Sequence, residues 1–67
     1  MKLSLRIKEL RLENQLTQKQ LADKVGYSAS MVTRWEKGEC EPTASAIVKL
    51  SKALNCTTDY LLGKSDI

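Results

Sequence analysis

Four hydroxyl residues, Thr17, Ser28, Thr43 and Thr57, each stand just before a stretch of helix-spaced apolar residues, and Gly26, Gly38 and Gly63 each follow one. This punctuation constrains the fold more than any other feature of the chain. A Ser or Thr oxygen at an N-cap accepts from a backbone N–H that the helix itself cannot satisfy. Glycine takes the left-handed conformation that ends a helix without a Cβ penalty. Together these signals divide the chain into five short helices. Leu3, Ile7 and Leu10 recur at i, i+4 and i+7 and predict a first helix over 3–14. Thr17 with Gln20 makes a capping box for the second, and Leu16 and Leu21 flank it as a hydrophobic staple. Ser28 opens a third helix with Val32 and Trp35 inward, and Tyr27 before the cap is expected to staple onto Val32. Thr43 opens a fourth helix with Ile47, Leu50 and Leu54 inward and Asn55 at its end. Thr57 opens a short fifth containing Tyr60, Leu61 and Leu62. No alternating apolar run bounded by turn residues predicts a strand. The expected fold class is all-α, one compact five-helix domain over 1–67.

Composition removes most function classes. There is no His, so Ser-His-Asp and Cys-His arrangements cannot be built. Two cysteines without His do not complete a tetrahedral zinc site. No convergent carboxylate motif is present. The chain is therefore not expected to be an enzyme or to hold a metal or cofactor. Apolar runs of two or three residues do not span a membrane, and Met1 to Arg6 contains no secretory apolar stretch. A cytoplasmic protein is expected, with both cysteines as free thiols, Cys56 buried and Cys40 in a loop.

The net charge of +3 is unevenly spread. Residues 1–37 carry eight Lys/Arg against four acids, and residues 38–67 carry three against four. A basic half fits a surface that faces a polyanion. An ordinary solvated surface accounts for the same charges.

The informative stretch is Gln18 to Lys37, two short helices about the turn Gly26-Tyr27-Ser28. Ala22 falls where the two helices cross, and a larger side chain would separate them. Val32 and Trp35 lie three apart on the inner face of the second of these helices, which gives Trp35 a core role rather than a base-stacking one. Ala29, Ser30, Thr33, Arg34 and Lys37 remain on the outer face.

The run from Thr17 to Ser28, followed by Val32-Thr33-Arg34-Trp35-Glu36-Lys37-Gly38, resembles the helix-turn-helix of the phage Cro/CI-type repressor family, also called the XRE family. Glu41-Pro42-Thr43, Ala53-Leu54 and Asp59-Tyr60-Leu61-Leu62-Gly63 resemble the fourth and fifth helices of that family, so the likeness covers about residues 5–63. The resemblance implies a lambda-repressor-like DNA-binding domain, with its helix-turn-helix over about 17–37. The third helix would lie in the major groove and the second would cross the phosphate backbone.

Ala29, Ser30, Thr33, Arg34 and Lys37 would then meet base edges, with Arg34 bidentate to guanine as the main specificity residue. Thr17, Gln18, Lys19, Ser28 and Thr43 would meet the DNA backbone, and Gln18 would also brace the recognition helix. Arg11 and Glu36 would form a structural ion pair docking the first helix against the third. Glu39 and Glu41 depart from the basic residues that the family often carries after the third helix, which lowers the expected affinity.

The implied function is a transcriptional regulator, a repressor binding a palindromic operator as a homodimer. The alternative is an antitoxin-type interaction module that also represses its own operon. Dimer contacts are expected around Cys56, Thr57, Thr58, Tyr60 and Leu61; the competing role for Leu61 and Leu62 is closure of the monomer core.

Overall fold

The computed structural model describes residues 3–63 as α1 (Leu3–Glu13), α2 (Gln18–Val25), α3 (Ala29–Lys37), α4 (Ala44–Ala53) and α5 (Thr58–Leu61). No strand occurs among the described residues. The caps form where the hydroxyl residues stand. Thr17 Oγ1 accepts from Gln20 N at 3.0 Å, and Gln20 Oε1 accepts from Thr17 N at 2.8 Å, which completes the capping box. Ser28, Thr43 and Thr57 accept from the backbone N–H groups of Met31, Ala46 and Tyr60. Gly26 closes α2 at φ +77°, and its N–H donates to the Ala22 carbonyl at 2.9 Å. Among the described residues, the non-glycine residues Gln15 and Asn55 also take left-handed backbone, both at φ +59°. Asn55 follows α4 as its sequence position predicts. Gln15 carries no such signal in the sequence.

The core consists of Ile7, Leu10, Leu21, Ala22, Val25, Val32, Trp35, Ala46, Leu50, Leu54 and Leu61. α3 packs against α2 and α1, α4 packs against α2 and α5, and α5 closes back on α1. Trp35 is 2% exposed, so its large ring is spent on the interior. Its partner is Tyr27, whose ring meets it edge-on with centroids 5.0 Å apart. Tyr27 is thus half-buried against the core and braces α3 through Trp35. Ala22 is 1% exposed at the α2–α3 crossing, as the need for a small residue requires.

Three expectations change. The inward face of α4 is Ala46, Leu50 and Leu54, joined by Ser51, while Ile47 is only half-buried. The three apolar positions lie four apart on a single row, which leaves Ile47 at the edge of the buried stripe. Cys56 is half-buried rather than buried, because the turn before α5 lies at the surface. Leu61 is fully buried and closes the monomer core, while Leu62 remains 40% exposed. Among the described residues no helix is long and apolar enough to cross a membrane.

Candidate nucleic-acid interface

α3 is amphipathic, and its anchoring decides what it offers outward. Val32 and Trp35 fix it from within. Ser30, Arg34 and Lys37 are exposed, and Ala29 and Thr33 are half-buried beside them. The five residues expected to meet bases therefore share one accessible side of a rigidly seated helix. Arg34 is 56% exposed in its side chain, and its Nε lies 3.9 Å from Glu39 Oε1. The acidic loop thus turns one carboxylate toward the arginine. A contact this long and this open to water holds the guanidinium weakly.

The residues expected to meet a phosphate backbone cluster at helix starts. Thr17 and Ser28 each cap a helix, and a cap bond uses only the acceptor side of a hydroxyl. Lys19 pairs loosely with Asp23 at 3.4 Å, with both side chains well exposed. Thr43 caps α4 and lines the same shallow cavity as Met31, Arg34 and Glu41, so the α4 start lies beside the outer side of α3. Backbone N–H groups at helix starts favour anions.

Behind this side lies a buried polar network. Arg11 Nε donates to Glu36 Oε2 at 2.6 Å, and Nη2 donates to Oε1 at 3.2 Å. Arg11 Nη1 also donates to the Leu16 carbonyl at 2.8 Å, tying the loop before α2 into the pair. The two charged side chains are 10% and 4% exposed, so the expected docking of α1 against α3 is an interior ion pair. Gln18 joins them, with its Nε2 donating to Glu36 Oε1 at 3.0 Å. Its Oε1 accepts from Thr33 Oγ1 at 2.8 Å. The brace from Gln18 to the third helix is thus a bond to Thr33 as well as to Glu36. Spacing alone could not supply these partners, because each link spans 15 or more residues.

The segment expected at a dimer contact lies around α5. Cys56, Thr57 and Tyr60 line an open groove with Leu10, Glu13 and Asn14, while Thr58 is half-buried. The Arg6 guanidinium sits 4.5 Å over the Tyr60 ring. Burial pushes the Cys56 thiol up, and the nearby Arg6 charge pulls it partly back. Both cysteines are free thiols, and Cys40 Sγ lies 3.7 Å from Met31 Sδ. Among the described residues no group of three or more His, Cys, Asp or Glu is placed to hold a metal ion.

Comparison with known proteins gives consistent results. A family described as Helix-turn-helix matches residues 7–61. The HTH-type transcriptional regulator ImmR of Bacillus subtilis (strain 168) is 36% identical over 67 residues, which is 100% of this chain and 53% of that protein. Repressor protein C2 of Salmonella phage P22 is 40% identical over 62 residues, covering 92% of this chain and 28% of that protein. The chain therefore spans about half of one relative and little more than a quarter of the other. The crystal structure of the P22 c2 repressor protein in complex with synthetic operator 9T superposes with a TM-score of 0.90 at 35% identity, covering 97% of this chain and 98% of that one.

Proposed function

From the chain's membership of the Cro/CI-type (XRE) helix-turn-helix family, we propose that it binds double-stranded DNA and regulates transcription as a repressor. α3 enters the major groove, and the starts of α2 and α4 rest on the phosphates. Arg34 reads guanine, Ser30 and Lys37 contact neighbouring base edges, and Ala29 touches a thymine methyl. A single small module meets few base pairs. A homodimer on an inverted repeat, with half-sites about 34 Å apart, supplies the rest. Cys56, Thr57, Thr58 and Tyr60 form part of the contact between copies. The protein acts in the cytoplasm.

The observation that carries this reading is the seating of α3. Trp35 and Val32 lock it from within, while Ser30, Arg34 and Lys37 stay open on its outer side. The test is a titration of duplexes that carry an inverted repeat obtained by in-vitro selection. Binding is expected to weaken steeply with salt, because phosphate contacts release counterions. Arg34→Ala is expected to relax the preference at one base pair per half-site, at a cost of about 1–3 kcal/mol. An Arg34→Ala protein with unaltered affinity and site preference would refute the assignment.

A further inference from the structure

A directional chain of hydrogen bonds runs from α1 onto the outer side of α3. Arg11 donates twice to Glu36, Gln18 Nε2 donates to Glu36 Oε1, and Gln18 Oε1 lies 2.8 Å from Thr33 Oγ1. Each link fixes the sense of the next. Arginine has donors only, and a carboxylate has acceptors only. The Gln18 amide nitrogen must therefore face Glu36, since the reversed amide would set its oxygen against the carboxylate. That places the amide oxygen toward Thr33, and the only hydrogen able to bridge the two oxygens is the Thr33 hydroxyl hydrogen. The other oxygen within reach of Thr33 Oγ1 is the Ala29 carbonyl at 3.0 Å, which is also an acceptor. The single hydroxyl hydrogen is thus drawn to the protein from both sides. Residue 33 keeps lone pairs and a methyl group for a ligand.

This matters in a major groove. Guanine presents only acceptors there, adenine and cytosine each present an amino donor, and thymine presents a methyl. A threonine whose hydrogen is available can serve any of them. One whose hydrogen is committed accepts from an amino group or packs on a methyl, and has nothing to offer guanine. Resting on the DNA-binding reading above, we propose that Gln18, oriented by the Arg11–Glu36 pair, is a positioning residue that makes Thr33 discriminate against guanine at the half-site base it faces.

The 67-residue chain, Gln18→Met and Thr33→Ala are each taken through selection from a randomised duplex library. Thr33→Ala locates the base that residue 33 faces, because it removes both groups the residue offers, the oxygen and the methyl. At that position the unmutated chain is expected to disfavour guanine about fivefold or more, as for an ordinary mismatched base pair. Gln18→Met has a side chain of similar length and no amide oxygen, so the hydroxyl hydrogen is left to the Ala29 carbonyl at 3.0 Å alone, and rotation of the hydroxyl can turn it to a guanine acceptor instead. Guanine there is expected to recover to within about twofold of the best base, while the position read by Arg34 keeps its preference.

Loss of a phosphate contact or of stability weakens all sequences alike. A Gln18→Met protein that binds every duplex more weakly with unchanged base preferences overturns the proposal. So does a Thr33→Ala profile identical to that of the unmutated chain at every position, an arm that stands even if circular dichroism shows Gln18→Met unfolded. If the unmutated chain selects no sequence at all, the DNA-binding reading itself fails.

Discussion

Arg11 shows how much one side chain organises in a small domain. Its guanidinium donates to Glu36 twice and to the Leu16 carbonyl once, at a site 8% exposed for the whole residue. Salt screens such a buried pair far less than a surface one. Removing one partner leaves the other charge buried without compensation, which typically costs about 3–5 kcal/mol. At roughly 0.05–0.15 kcal/mol per residue, a chain of this length holds only about 3–10 kcal/mol in total. Arg11→Ala is therefore expected to lower the urea midpoint drastically or to leave the chain largely unfolded. Far-UV circular dichroism during denaturation measures this, and a midpoint within error of the unmutated chain would contradict the interior role. Arg11 was legible as a partner of Glu36 only through family resemblance. Its bond to Leu16 was not legible, because a backbone carbonyl leaves no mark on sequence pattern.

At the scale of elements, helix ends carry most of the local information. The capping box at Thr17 and the left-handed Gly26 form as their residue types require. The end of α1 is different. Gln15 stands at φ +59°, and Leu16 N donates back to the Arg11 carbonyl at 3.1 Å. A non-glycine residue in this conformation stores about 1–2 kcal/mol. Glycine would relieve that strain while adding roughly 0.5–1 kcal/mol of unfolded-state entropy. Gln15→Gly is thus expected to stabilise the chain by up to about 1 kcal/mol, read as a rise in the thermal midpoint. A fall would show that the Gln15 side chain contributes more than its backbone costs. Tertiary ties hold the strained turn in place. Asn14 Nδ2 donates to the Leu54 carbonyl at 3.2 Å and Asn55 Nδ2 donates to Asn14 Oδ1 at 3.0 Å, joining the ends of α1 and α4.

The whole molecule divides its apolar surface between interior and exterior, and α5 shows the division most sharply. Leu61 is fully buried and its neighbour Leu62 is 40% exposed. Leu61→Ala removes core volume and is expected to cost about 2–5 kcal/mol, independent of protein concentration. Leu62→Ala is expected to change folding stability by about 0.5 kcal/mol or less, as substitutions on an open surface usually do. Denaturant titrations of both variants at two concentrations separate the cases. Equal losses would mean that the α5 register is shifted from the one described here. The same division keeps the interface serviceable, because a helix that presents exposed arginine and lysine to a ligand needs its opposite side firmly held.

The sequence by itself determined the helix count, the caps, the core role of Trp35 and the outer residues of α3. All of these follow from short-range rules: a hydroxyl oxygen meets an N–H within one turn, and apolar spacing reports which side faces inward. The tertiary structure decided the rest. It turned α4 so that Ala46 and Ser51 are buried and Ile47 sits at the edge, gave Leu61 to the monomer core, and left Cys56 half-buried. It also set Gln18 between Glu36 and Thr33, and Glu39 beside Arg34. These outcomes depend on how separate helices are placed against one another. Local propensity carries no record of that placement, because the energy lies in contacts between residues far apart in the chain.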